Sequence, residues 1–242
     1  MTYDPRAPGA EEANHVAFPL SVTARFAWIG AAGLPAVAAL AAALGAGLAG
    51  LAIALAVYMA GVAVALRGMR RYPHDRIGWA NAVTLGRLGL VACLVPALDA
   101  PAGVAVLAVA GVALALDGVD GWLARRQGLA SAFGARFDME VDAALALTLA
   151  AHGALAGAVH PAILLLGLPR YLFGAAQQVW PWLRGPLPER FSRKAVCVFQ
   201  IGVLIAVLIP GLPREAADAL VLAAAGALAW SFWVDIRHLR QG

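Results

Sequence analysis

The sequence predicts an all-α protein, a polytopic transmembrane helix bundle of about eight spans. Of its 242 residues, 62% are hydrophobic and 13% are charged, whereas ordinary soluble domains carry about 25% charged residues. From about Phe26 onward, apolar runs approach the roughly 20 residues that a helix needs to cross a bilayer, and short polar turns separate them. Most of the protein surface is therefore expected to face lipid.

The predicted spans form two groups. Two N-terminal spans, at about 26–45 and 48–66, lead into a basic cytoplasmic linker, and together they make up residues 26–78. Residues 79–242 form a second domain with six spans. Residues 1–25 are polar and lack the apolar core of a signal peptide, which predicts a cytoplasmic N-terminal tail. The six spans lie at about 79–98, 102–122, 138–157, 159–182, 192–210 and 215–236.

Basic residues predict the orientation of the bundle, because Lys and Arg near span ends tend to stay in the cytoplasm. Every second loop is basic, and Arg214 is the only Lys or Arg residue in the loops between them. Both termini are therefore expected on the cytoplasmic side of the cell (inner) membrane. The basic clusters are Arg67, Arg70, Arg71 and Arg76; Arg125, Arg126 and Arg136; Arg184, Arg190, Arg193 and Lys194; and Arg237 and Arg240.

Charge and cysteine content argue against other partners and sites. The net charge of +4 is concentrated on one predicted membrane face, where anionic lipid head groups account for it, so no nucleic-acid partner is expected. Cys93 and Cys197 lie in apolar spans without CxxC spacing. Both are expected to be inert buried thiols rather than disulfide partners or metal ligands.

Four aspartates lie where a membrane protein rarely tolerates charge. Asp117 and Asp120, near the cytoplasmic end of the fourth span, and Asp138 and Asp142, opening the fifth, are spaced so that each pair shares a helix face. Antiparallel packing would bring the pairs together. Crowded carboxylates near hydrocarbon require a counter-charge, and oxygen ligands suit Mg²⁺ or Mn²⁺. Two such ions would favour phosphoryl chemistry.

A strip of small residues lies beside these carboxylates. It consists of Gly118, Gly121 and Ala124. Helix packing is the simpler interpretation of Gly118, since small residues at this spacing are common at transmembrane interfaces. Gly121 and Ala124, flanked by Asp120 and Arg125, favour the close approach of a ligand instead.

The segment from Asp117 to Asp142 resembles the CDP-alcohol phosphotransferase family. It matches the signature D-x2-D-G-x2-A-R-x8-G-x3-D-x3-D at every fixed position. The six spans from about Trp79 onward look like that family's six-helix core, and the first two spans are extra. The resemblance implies an enzyme of phospholipid biosynthesis that transfers a phosphatidyl group from a CDP-alcohol, with CDP-diacylglycerol as the expected donor, to an alcohol with release of CMP.

The resemblance also implies residue roles. Metal binding falls to Asp117, Asp120 and Asp138, with Asp142 completing the site and taking the proton of the acceptor hydroxyl. Glu140 lies outside the signature and points about 160° away from its neighbouring aspartates on an ideal helix, so a solvated or supporting role is expected. The residues that would border the CDP group are Asp117, Gly121, Ala124, Arg125 and Gly134.

Asn81, Thr84 and Arg87 resemble an Asn-x2-Thr-x2-Arg stretch in the first core helix of many family members, which implies a place in the CDP site. The alternative is an ordinary helix end capped by Asn81. Arg87 lies about two turns into its span, where an unpaired cation is expensive. Its expected partner is either the CDP phosphates or the aspartates.

Arg170, Arg193 and Lys194 are candidates for binding the acceptor. Lys194, the only lysine in the chain, and Arg170 loosely resemble positions in phosphatidylglycerophosphate synthases, although Cys197 stands where those enzymes usually carry threonine. The alternative for Arg193 and Lys194 is a positive-inside cluster. These cations favour a phosphorylated acceptor, glycerol 3-phosphate or inositol phosphate, over serine, choline or inositol.

Two rival functions remain open from the residues alone. The aspartates could form the translocation site of a divalent-cation transporter, although they lie toward one membrane face. A catalytically silent scaffold is disfavoured because the signature is complete. Membrane lipid is the expected surroundings, and the family resemblance allows a homodimer.

Overall fold

The fold is entirely helical in the residues that the computed structural model describes, which are 21–69, 72–99, 102–157, 159–185, 187 and 190–241. The expected all-α class is confirmed. The predicted tail up to residue 20, together with Arg70 and Arg71 of the predicted basic linker, lies outside these residues. The helices are α1 Val22–Ala43, α2 Leu48–Gly68, α3 Trp79–Leu94, α4 Val104–Gln127, α5 Ala132–Leu155, α6 Leu164–Gly167, α7 Pro169–Val179, α8 Phe191–Ala206 and α9 Arg214–Gln241.

Five helical segments in the described part of the chain are long and apolar enough to cross a membrane. They coincide with the first four predicted spans and the last one. This finding confirms a polytopic helical bundle and an integral membrane protein. The segments are Val22–Ala43, Leu48–Gly68, Trp79–Leu98, Val104–Gln127 and Arg214–Arg240.

Two other predicted spans differ from these five in charge or length. α5 has 24 residues, but its first half carries Arg136, Asp138, Glu140 and Asp142. α8 has only 16 residues, fewer than the roughly 20 that cross a bilayer. Both helices are therefore suited to lining a polar site rather than facing lipid along their whole length.

The sixth predicted span is interrupted, although the sequence predicts one helix over 159–182. A 3-10 turn covers Pro161–Ile163, α6 ends at Gly167, and α7 begins at Pro169. Pro169 has no backbone N–H, so it cannot make the hydrogen bond that would continue α6. The break places Arg170 in the first turn of α7 instead of inside a long span.

A tight turn makes α4 and α5 antiparallel neighbours. Gly128 ends α4 in the left-handed conformation, with φ of 63°, which costs glycine little. Ser131 caps α5, because its Oγ accepts a hydrogen bond from the Gly134 N–H at 3.0 Å. α3 packs against α4 and α5, and α8 packs against the same two helices. These four helices surround the aspartates.

Candidate active site

The four aspartates come together at the α4–α5 pair, as their spacing predicts. We call Asp117, Asp120, Asp138 and Asp142 the aspartate cluster. One carboxylate oxygen from each of the first three lies within 4.8 Å of the other two. Asp117 and Asp120 are buried, whereas Asp138 and Asp142 are partly exposed. The cluster is therefore open on its α5 side.

Arg87 lies at the centre of the cluster and is fully buried. Its Nη1 lies 2.8 Å from Asp120 Oδ2, 2.5 Å from Asp138 Oδ1 and 3.5 Å from Asp117 Oδ1. Its Nη2 pairs with Asp142, and its Nε donates to the Ala113 carbonyl at 3.0 Å. The sequence predicts that Arg87 pairs with either the CDP phosphates or the aspartates, and in the structure it pairs with the aspartates.

Thr84 lies one turn before Arg87 and faces the same cluster. Its Oγ1 lies 3.2 Å from Asp120 Oδ2 and 3.0 Å from the Ala80 carbonyl. The hydroxyl has a single hydrogen, which serves one acceptor at a time. Thr84 can therefore support Asp120 or turn away from it when the carboxylate takes another partner.

The charges around the cluster are unequal. Four carboxylates meet two cations, Arg87 and Lys194, whose Nζ lies 3.6 Å from Asp117 Oδ2. If all four carboxylates are ionised, two negative charges remain in a largely buried place, where uncompensated charge is costly. The donor atoms are all carboxylate oxygens, which Mg²⁺ and Mn²⁺ prefer. The residues present thus fit a hard divalent cation held by Asp117, Asp120 and Asp138.

Asp142 differs from the other three aspartates. It lies outside the compact set of ligand oxygens found among the described residues. Its Oδ1 is held by Arg87, and the Cys197 Sγ lies 3.8 Å from its Oδ2. Cys197 is only half-buried, so this thiol borders the site. A carboxylate held in place yet partly exposed suits proton transfer to and from a ligand.

The small residues beside the cluster leave room next to two cations. A Cβ placed on Gly121 would lie 3.5 Å from Arg125 Nη1 and 3.5 Å from Lys194 Nζ. The bare backbone at Gly121 therefore lies between two positive groups, as an approaching anion would require. Ala124, one turn further along, is half-buried. Gly118 is exposed, with no described atom within 4 Å of an added Cβ, so the helix packing expected there is not seen in the described residues.

Asn81 and Gly134, both candidates for the CDP site, face each other across α3 and α5. A Cβ on Gly134 would lie 3.1 Å from Asn81 Oδ1. The Asn81 side chain is buried, and its Nδ2 donates to the Tyr72 hydroxyl at 3.2 Å. Asn81 is therefore held by a tertiary partner. In this structure it does not cap α3, because Gly78 is the N-cap residue.

The three acceptor candidates have different partners. Lys194 reaches the cluster through Asp117, as described above. Arg170 pairs with Glu140 on α5 at 2.5 Å, so Glu140 is its anionic partner. Arg193 donates from Nε and Nη2 to Asp235 on α9, at 2.9 Å each. The structure brings only Lys194 directly to the aspartates.

The sequence does not identify Asp235 as a partner of the basic residues. It is buried near the end of α9 and also accepts a hydrogen bond from Arg190 at 3.0 Å. A carboxylate at the end of a long uncharged stretch of α9 was the available signal, since such a group needs a cationic partner. Asp235 anchors the beginning of α8, the helix that carries Lys194.

Comparison with known proteins gives one match. The family model for the CDP-alcohol phosphatidyltransferases covers residues 78–234, which is more than half of the chain and runs from the start of α3 into α9. It includes the whole aspartate cluster and every candidate site residue named from the sequence. No curated protein and no solved structure matched the chain.

Proposed function

The chain belongs to the CDP-alcohol phosphatidyltransferase family, and from this premise we propose that it transfers the phosphatidyl group of CDP-diacylglycerol to a phosphorylated alcohol. Family membership makes the protein a transferase that uses a CDP-alcohol. The observation that carries the finer proposal is the aspartate cluster next to Lys194, with Gly121 open between Lys194 and Arg125. Family membership also favours the transferase over a cation transporter or a silent scaffold.

The metal would be held by Asp117, Asp120 and Asp138, with Asp142 at the edge of the site. We propose two ions of Mg²⁺ or Mn²⁺ there, and they would neutralise negative charge on the diphosphate during transfer. Arg87 supplies one positive charge from within the protein and offsets the repulsion among the carboxylates that it bridges. Its position at the centre of the cluster supports a role in organising the ligands.

The donor would bind along the α4 surface beside the cluster. Arg125 and Lys194 flank Gly121 and can attract the diphosphate from two sides. Asn81 and Gly134 lie on the α3–α5 side, where the nucleoside part of the donor would fit. Ala124 and Thr84 complete the proposed CDP site.

Asp142 would act as the base. It would take the proton from the acceptor hydroxyl while that oxygen forms a bond to the phosphorus carrying the lipid alcohol. The bond between this phosphorus and the bridging oxygen breaks, and CMP leaves with that oxygen. Arg87 orients the Asp142 carboxylate through Oδ1, and Oδ2, which lies beside the Cys197 thiol, would take the proton.

Three cations support a phosphorylated acceptor. The Lys194 side chain is 50% exposed beside Asp117, and Arg170 is held by Glu140 while remaining partly exposed. Arg193 uses Nε and Nη2 for Asp235, which leaves its Nη1 for an acceptor phosphate. Glycerol 3-phosphate and inositol phosphate are the acceptors that we propose. Basic residues at the ends of α4 and α9 and the beginning of α8 support a site on the cytoplasmic side of the cell membrane.

The proposal is tested by CMP release from purified protein. We expect release that requires both CDP-diacylglycerol and a phosphorylated acceptor, stops with EDTA and returns with Mg²⁺ or Mn²⁺, because the cluster needs a counter-charge to bind a diphosphate. Serine, choline and inositol complete the acceptor panel. Release only with a free alcohol would contradict the acceptor assignment. Folded protein that releases no CMP, but moves divalent cations in proteoliposomes, would favour the transporter.

Replacing Arg170 with Gln is expected to raise the KM for the phosphorylated acceptor. A hydrogen bond to a charged group contributes about 1.5–3 kcal/mol, which corresponds to roughly a 10-fold to 150-fold increase in KM. The KM for CDP-diacylglycerol should change little. Steady-state kinetics with each substrate varied in turn measure both values.

Arg184→Gln is the matched control, because Arg184 lies beyond the other end of α7 and bonds only to the Gln177 carbonyl among the described residues. It should leave both KM values unchanged. An equal loss of kcat/KM for the phosphorylated and the free acceptors in Arg170→Gln would exclude a phosphate contact.

A further inference from the structure

Residues 72–79 lie against the α4–α5 turn, at the donor side of the proposed site. The Trp79 N–H donates to Gln127 Oε1 at 2.9 Å, and His74 Nε2 lies 3.3 Å from the Ala130 carbonyl. Tyr72 belongs to this segment. It precedes the start of the family match at residue 78, so nothing in the family assignment covers it.

The Tyr72 hydroxyl determines which end of the Asn81 amide faces the site. Tyr72 Oη donates to the Arg76 carbonyl at 3.3 Å, and a carbonyl can only accept. The single phenolic hydrogen is thereby used, so Tyr72 Oη acts as acceptor for the Asn81 Nδ2 at 3.2 Å. The Asn81 amide oxygen is consequently turned toward Gly134.

Aromatic contacts hold the Tyr72 ring in place. The ring packs edge-on against Phe133 at a centroid distance of 5.6 Å and against His74 at 5.3 Å. Phe133 in turn packs edge-on against Phe26 of α1 at 5.9 Å. Phe26 of α1, Tyr72, His74 and Phe133 at the start of α5 therefore form one packed N-terminal unit.

We propose that Tyr72 is a positioning residue for the nucleotide of the CDP donor. By accepting from the Asn81 Nδ2, it presents the Asn81 amide oxygen as a hydrogen-bond acceptor beside Gly134. A ligand that meets this oxygen must donate, and the donor nucleotide offers ribose hydroxyls and the cytosine amino group. The inference rests on the proposed function and gives the N-terminal unit a part in donor recognition.

The test is Tyr72→Phe in the full-length enzyme, because this change removes the hydroxyl and keeps the ring. Once released, the Asn81 amide can rotate and present its nitrogen. Loss of one net hydrogen bond of about 1 kcal/mol corresponds to roughly a 5-fold rise in the KM for CDP-diacylglycerol. The acceptor KM and kcat should not change.

Two modified donors show which group reaches Asn81. 2′-Deoxy-CDP-diacylglycerol lacks a ribose hydroxyl, and UDP-diacylglycerol lacks the cytosine amino group. The wild-type enzyme should discriminate against one of them, and Tyr72→Phe should lose most of that discrimination. A residue that only supported the fold would change the KM values for the normal and modified donors alike.

Tyr58→Phe is the matched control, since Tyr58 is a buried tyrosine of α2 whose hydroxyl faces Gly33. It should keep wild-type kinetics. Asn81→Ala should raise the donor KM, and adding Tyr72→Phe to it should have no further effect. The inference would be overturned if Tyr72→Phe kept the wild-type donor KM and donor discrimination, or if the effects of Tyr72→Phe and Asn81→Ala were additive. The proposed function would remain intact in either case, provided that the wild type releases CMP. Absence of CMP release from folded wild-type protein with every donor would overturn both.

Discussion

Replacing Asp142 with Asn is expected to reduce acceptor-dependent CMP release by about 100-fold or more, the usual range for loss of a general base. Asn has nearly the shape of Asp and can still accept the hydrogen bond from Arg87, but it cannot take a proton from the acceptor. The fold and donor binding should therefore survive. CMP release at saturating donor and acceptor, together with CDP binding to the purified variant, measures the two effects separately.

Asp218→Asn provides the control for this change. Asp218 lies near the beginning of α9. Asp235 lies near the end of the same helix, where it holds the beginning of α8 beside the aspartate cluster. The two aspartates are therefore about 25 Å apart along the helix. This variant should keep wild-type CMP release. If Asp142→Asn retained more than about a tenth of the wild-type rate, the proton would have another acceptor.

Replacing Arg87 with Gln is expected to make the stability of the protein depend on divalent metal. Arg87 is buried and contacts all four carboxylates. Removing one member of a buried ion pair typically costs about 3–5 kcal/mol, because the remaining charges lose their partner. A cation that binds only the folded state restores stability by mass action. Mg²⁺ or Mn²⁺ should thus raise the melting temperature of Arg87→Gln more than that of the wild type.

Thermal melting in detergent, with EDTA and with increasing metal, measures this difference. In EDTA the melting temperature of Arg87→Gln should fall by an amount on the order of 10 °C. Arg170→Gln is the control, because Arg170 belongs to a partly exposed ion pair, and such pairs contribute about 0–1 kcal/mol. A large fall in Arg87→Gln that metal leaves unchanged would show that Arg87 does not balance the charge of the cluster.

The meeting of the four aspartates could be predicted because it depends on local rules. Spacings of three and four residues place each pair on one helix face, and the short turn at Gly128 brings α4 and α5 together as antiparallel neighbours. The cluster spans only the segment from Asp117 to Asp142. A single helical hairpin therefore contains most of the candidate metal site.

The partners of the basic residues could not be predicted in the same way. Arg193 and Lys194 are adjacent in the chain, yet their side chains leave α8 about 100° apart. One meets Asp235 of α9 and the other meets Asp117 of α4. The sequence predicts neither partner, because spacing along the chain does not reveal which neighbouring helix each side faces.

The interruption of the sixth span is a similar case. The apolar run over 159–182 has the length and composition of a membrane span, although it contains Pro161 and Pro169. Proline is tolerated inside α1, where Pro35 lies within a 22-residue helix. Only the packing of neighbouring elements decides whether a proline bends a helix or ends it.

The helical class, the membrane location, the family and the aspartate pairs follow from the sequence, since periodicity, hydropathy and fixed spacing are properties of neighbouring residues. Only the packing of the helices shows that Arg87 lies among the carboxylates, that Glu140 pairs with Arg170, and that Asn81 donates to Tyr72. Each of these contacts joins residues of different helices or loops. Such contacts depend on which helix faces pack together, and the free energy of that packing belongs to the whole bundle rather than to any one segment.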